Sequence, residues 1–228
     1  YEGDHPSLNL TVDEADQDNM PPFAHFAHAL PNWSAAFGVG ASALTGGLKL
    51  WPIELFQNDQ RQSVAHINTP TYELSVVKGT SFTISRDISL GTLKVIWSKR
   101  KTDWDDRLDL DGGPFPIADT ERHTKYEAET LEIQLSGSTD NMEYVLGYYT
   151  LEDDAYTANP QTYFAGAPFL QNYSGTSDAE AFFGQITLSI SEKLDLTLGA
   201  RKTEEDKTGF KEYVGLFSQV GQGSFDDT

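Results

Sequence analysis

The sequence predicts an all-β fold: part of an antiparallel transmembrane β-barrel, with about seven to eight strands, short periplasmic turns and long extracellular loops. Three observations carry this expectation. From about residue 71 onward, apolar and polar residues alternate with a period of two, which sends them to opposite faces of a strand. Turns inside the hairpins are tight, whereas the links between hairpins are long and rich in Asp, Gly, Pro and Asn. The chain also holds 10 Tyr, 13 Phe and 4 Trp without the run of ~18 apolar residues that a spanning helix needs. Any membrane crossing would therefore use strands.

The first 70 residues are read mostly as a long extracellular loop, with a short first strand near Leu8–Val12. Between Pro21 and Pro70 no period is sustained; the small residues of Gly38–Ala43 and a short helix near Ser34–Leu44 fall here, followed by a Leu50-Trp51-Pro52-Ile53 cluster. Residues 71–228 are read as barrel hairpins. In the first hairpin Phe82, Ile84, Ile88 and Leu90 alternate with Thr83, Ser85, Asp87 and Ser89, a turn falls near Gly91-Thr92, and Leu93–Trp97 begins the return. Arg86 interrupts its apolar face. In the second, Leu131, Ile133 and Leu135 alternate with Thr130, Glu132 and Gln134, and Gly137–Asn141 forms the turn. The return strand, Met142–Leu151, is apolar on both sides, so the pattern does not orient it.

The third hairpin is the clearest. Phe182, Ile186, Leu188 and Ile190 alternate with Phe183, Gln185, Thr187 and Ser189; Ser191-Glu192-Lys193 turns the chain; Leu194, Leu196, Leu198 and Ala200 then alternate with Asp195, Thr197, Gly199 and Arg201. A last strand is expected around Lys211–Phe217. Asp105–Thr124 and Glu152–Ser177 read as long loops, too long for a compact soluble domain but ordinary for the outer side of a barrel. Trp97, Trp104, Tyr126, Tyr148, Tyr149, Phe182 and Phe183 lie near strand ends, where girdle aromatics sit at a membrane interface.

Charge and motifs narrow the functions. With 35 acidic against 16 basic residues the net charge is −19, which repels nucleic acid, and no polybasic tract is present. The absence of cysteine removes disulfides and thiolate metal sites. Asp105–Gly113 has the look of a calcium loop, but Arg107 occupies a ligand position, and a solvated loop is the preferred reading. Helical spacing would put His25 and His28 on one side as a possible metal pair, with no further ligand nearby. No metal or cofactor site and no catalytic residue is assigned, because no nucleophile elbow, phosphate loop or zinc motif occurs. The aromatic stretch Tyr163, Phe164 and Phe169, with Tyr173, is a candidate ligand contact; it would either stack on a sugar or aromatic chelator or pack the loop on its neighbours. Arg201 is a further candidate ligand contact, and with Gln185 and Gln134 it is expected to face the water-filled lumen of the barrel. The alternative is a secreted or surface β-sandwich that binds carbohydrate or acts as an adhesin.

Three segments carry a family resemblance: Leu90–Ser98, Glu129–Gly137, and Ala181–Gln185 with Leu194–Arg201, together with Tyr144–Tyr149. In order and spacing they resemble the barrel of TonB-dependent outer-membrane receptors, the iron-siderophore type in particular, over roughly residues 70–215. The resemblance implies a bacterial outer-membrane location, lipid around the barrel, and a ferric siderophore or other large nutrient as ligand. It also implies coupling to the inner-membrane TonB complex through a plug. Plug and C-terminal closing strand are not found in the sequence, so the chain is read as a fragment of a larger barrel.

Overall fold

In the computed structural model, residues 5–21, 58–60, 63–64, 66–163, 167–215 and 219–227 are described. The short helix near Ser34–Leu44, the His25/His28 pair and Phe164 lie outside them. The described residues form eight strands: β1 (Ser7–Asn19), β2 (Tyr72–Ile88), β3 (Gly91–Asp109), β4 (Ala118–Thr139), β5 (Met142–Tyr163), β6 (Ala167–Ser191), β7 (Leu194–Val214) and β8 (Gln219–Asp227). Each pairs antiparallel with the next in one sheet of order β1 to β8. No helix occurs among the described residues, and β1 and β8 are the two edges.

One end of the sheet carries two-residue turns: Ser89-Leu90, Asp140-Asn141 and Glu192-Lys193. Gly91 follows the first at φ 120°, a conformation that side chains with a Cβ rarely adopt. The other end differs from the sequence expectation. Asp105–Thr124 and Glu152–Ser177, read as loops, are largely ladder-paired strand; among their described residues Leu110–Ile117 remain outside it. The expected strand at Lys211–Phe217 is instead the end of β7, through Val214, and β8 follows it. The loop composition misled because Asp, Asn and Gly disfavour strands in isolation but are held here by partners on both sides.

The register sorts the side chains onto two faces. The apolar face carries Leu8, Leu10 and Val12 of β1, Phe82 and Ile84 of β2, Leu93, Val95 and Trp97 of β3, and Leu131, Ile133 and Leu135 of β4. It continues through Met142, Tyr144, Leu146 and Tyr148 of β5, Phe182, Ile186 and Leu188 of β6, and Leu194, Leu196, Leu198 and Ala200 of β7. This orients β5, which the sequence could not. Every exposed large hydrophobic within the strands except Tyr173 lies on this face. The opposite, polar face carries the buried strand positions Asp106, Thr120, Thr157, Asn159, Ser177 and Ala181. Ala181 is the sole buried hydrophobic among the described residues. Among the described residues the aliphatic rows stand exposed on the apolar face instead of packing into a core.

The apolar band sits at the tight-turn end and is bordered by charge. Above it, away from the turns, stand Glu14, Lys78, Lys99, Glu129, Glu152, Glu180 and Lys202 on successive strands from β1 to β7. From β7 to β1 the border climbs steadily away from the turns. The pair row of Val12 on β1 runs through Thr80, Lys99, Glu129, Glu152 and Asp178 to Asp206 on β7, yet the band on β7 ends at Ala200, six residues lower. At ~3.4 Å per residue and ~4.8 Å per strand step, the border slopes about 35° against the pair rows. Strands tilted by 35–45° would present a level hydrocarbon layer in this way.

Candidate functional site

Far from the tight turns, the polar face gathers aromatic and cationic side chains. Trp104 of β3 pairs in register with Thr124 of β4, Thr157 of β5, Tyr173 of β6 and Lys211 of β7 across one row. One row further out stand Asp106, Arg122, Asn159, Gln171 and Tyr213, and beyond them Thr120, Gln161 and Phe169. Tyr163 caps the array. Alternation along long strands brings these residues together, and no single segment contains more than a few of them.

Polar anchors hold the array rigid. The Arg122 guanidinium binds both oxygens of the buried Asp106 carboxylate, with Nε donating at 2.9 Å, and lies 4.7 Å from the centre of the Trp104 ring. A fork-to-carboxylate pair of this kind fixes both side chains and leaves the flat guanidinium edge-bound. Asp106 holds the Arg122 charge above its ordinary pKa despite partial burial. Asn159 Nδ2 donates to Thr120 Oγ1 at 2.6 Å and to Glu121 O at 2.7 Å, Gln161 donates to Asn159, and the Tyr163 hydroxyl donates to Gln161 Oε1 at 2.8 Å. Tyr72 sits on the other face with its hydroxyl on Glu121; burial and that carboxylate raise its pKa to about 12.

Rings complete the surface. Tyr163 and Phe169 meet edge to face at 6.3 Å between centroids, Phe169 and Tyr213 meet at 5.6 Å, and the Lys211 ammonium lies 4.7 Å from the Tyr213 ring. Such a surface can stack a planar group on its rings and attract negative charge through Lys211. Of the sequence candidates, Tyr163 and Phe169 are in contact and Tyr173 stands on the same face close by. Arg201 does not join them. It pairs with Phe183, 14 residues from Phe169 on β6, which is about 48 Å along the strand. There Arg201 lies 5.8 Å from both the Tyr149 and Phe183 rings and donates to Thr203 Oγ1 at 3.0 Å. Tyr213, Lys211, Trp104 and Arg122 were not expected at the site. Only the strand register, a long-range property, places them there.

The calcium-like segment is used structurally. Asp109 accepts from the Gly112 N–H at 2.8 Å and the Asn68 N–H at 3.1 Å; Asp111 accepts from Gly113 and Ala118 at 2.9 Å each. The two carboxylates thus close the β3–β4 tip, while Asp106 serves Arg122. No group of three acidic or histidine side chains that could hold a metal occurs among the described residues. Four of the seven expected girdle aromatics, Trp104, Tyr126, Tyr149 and Phe183, lie on the polar face; Trp97, Tyr148 and Phe182 lie on the apolar face near its upper border.

The fold is all-β, a single antiparallel sheet similar to part of a β-barrel wall. The chain is similar to the crystal structure of the ferric yersiniabactin uptake receptor FyuA from Yersinia pestis, with a TM-score of 0.62 at 12% sequence identity. The match covers 72% of this chain and 26% of that receptor, so the likeness concerns the fold of about a quarter of it. No protein-family model and no curated protein sequence matches the chain.

Proposed function

We propose that the chain is part of a TonB-dependent outer-membrane receptor that takes up a ferric siderophore or a similarly large, scarce nutrient. The observation that supports this best is the sloping apolar band: a level lipid layer against tilted strands accounts for both its outward exposure and its slant. A β-sandwich would need a second sheet over those aliphatic rows, and the described residues provide none. On this reading the apolar face meets outer-membrane lipid and the polar face lines the passage. The aromatic and cationic array around Tyr163, Phe169, Tyr173 and Tyr213 makes first contact with the ligand on the outer side. Arg201 lines the passage deeper in, and the TonB complex acts through a plug in the remainder of the receptor. The role is one of transport, without catalysis.

Adjacent residues on opposite faces provide the test. Ile133→Arg puts a charge into the band and should cost about 2–4 kcal/mol on insertion, whereas Gln134→Arg faces water and should cost little. In membrane fractions, the first variant should lose the folded, heat-modifiable band on gels and the second should keep it. Equal assembly of both would remove the membrane reading. Transport is tested separately, by uptake of radioiron chelates into cells with the protein, without it, and with Y163A/F169A; uptake independent of the protein would remove the receptor reading.

A further inference from the structure

Arg86 breaks the apolar pattern of β2, and nothing in the fold explains it internally. Its side chain is exposed on the apolar face, across from Leu93 and between Ile84 and Ile88 along the strand. Among the described residues it has no ionic or hydrogen-bonding partner. The adjacent acid, Asp87, points to the polar face and accepts from Thr92 Oγ1 at 2.6 Å.

Its height on the sheet is informative. The lower edge of the band slopes like the upper one, from Leu194 on β7 through Leu135 and Leu93 to Leu8 on β1, and Leu8 pairs with Ile84. On β2 this edge passes between Ile84 and Arg86, so the arginine is the first side chain below the band. Ile88, at the turn, is about 7 Å further down. A guanidinium at that depth reaches the headgroup layer with its stem along the apolar surface, at little cost compared with the centre of the hydrocarbon. Phosphodiesters are the anions found at that layer, and the planar fork of arginine binds two of their oxygens at once.

We propose that Arg86 seats the phosphodiester of a phospholipid in the leaflet on the tight-turn side, and so fixes one lipid against β1–β3. This rests on the membrane reading of the apolar band. Protein purified from membranes and stripped of lipid is titrated with phosphatidylglycerol, and bound lipid is counted by native mass spectrometry. Arg86→Gln should weaken the tightest lipid adduct about fivefold, and Arg86→Lys, which keeps the charge without the fork, should fall between. Diacylglycerol, which has no phosphate, should not distinguish the three proteins, and Gln134→Arg on the other face should bind as wild type does.

Gel mobility before and after heating shows that each variant is folded. Unchanged phosphatidylglycerol binding by folded Arg86→Gln overturns the proposal while leaving the band intact. Wild-type protein that stays in solution without detergent and binds no lipid overturns the membrane reading, and this proposal with it.

Discussion

Glycine decides whether one of the aromatic contacts can exist. Phe183 lays its ring over Gly147 on the polar face, where an added Cβ would collide with Phe183 Cζ. Gly147→Ala should therefore displace the ring that flanks Arg201 and cost about 1–3 kcal/mol, as overpacking does. Gly199 has no heavy atom closer than 3.5 Å to the same hypothetical Cβ, and Gly199→Ala should be near neutral. Denaturant midpoints of the two variants compare them directly. At the β3–β4 tip, Asp109 titrates in a useful range. Burial raises its carboxyl from 3.8 to about 6, against the opposing Gly112 N–H and with the charge of Asp111 adding to the rise. The folded tip keeps a proton that the unfolded chain gives up, so this contribution is full below the lower value and is lost as pH rises through the upper one. Opening of the tip, followed by exchange of the Gly112 amide after correction for intrinsic rate, should be rarer at about pH 5 than at about pH 7. Asp109→Asn should flatten that dependence.

At the scale of the strand, alternation was legible wherever one face is aliphatic. Leu194–Ala200 and Leu131–Leu135 could be read from sequence because each carries an unbroken apolar row on one side and polar residues on the other. Glu152–Tyr163 and Ala167–Ser177 could not, since both of their faces are polar and local composition then resembles a loop. Tyr163, Phe169 and Tyr173 were recognisable as ring-bearing candidates; their assembly with Tyr213 and Arg122 needed the register. The register also creates a feature that no local pattern reveals. Glu129, Glu152, Asp178 and Asp206 lie directly opposite one another across four strands. Like charges so placed oppose pairing. Glu152→Lys should raise the denaturant midpoint, most of all at low salt, and a midpoint unchanged or lowered at every ionic strength would mean that solvent screens the row completely.

For the molecule as a whole, the distinguishing proportion is strand length against band height. β4 and β5 are 22 residues each and β6 is 25, roughly 75–85 Å of extended chain, yet the apolar band occupies only about 20 Å of height near the turns. The upper portion is ladder all the way to the tips. Backbone amides from Glu152 to Tyr163 should consequently exchange as slowly as those of Met142–Leu151, and fast exchange throughout the upper stretch would mean that these hairpins melt beyond the apolar band.

The continuity of β5 and β6 through Tyr163 and Ala167 also limits how anything captured there can be retained. A flexible lid swings because its hinge breaks few bonds; folding this palisade inward would shear every rung between neighbouring staves. On the proposed reading, the rim would present a fixed mouth of rings and charges, and shutting it would fall to some other part of the receptor.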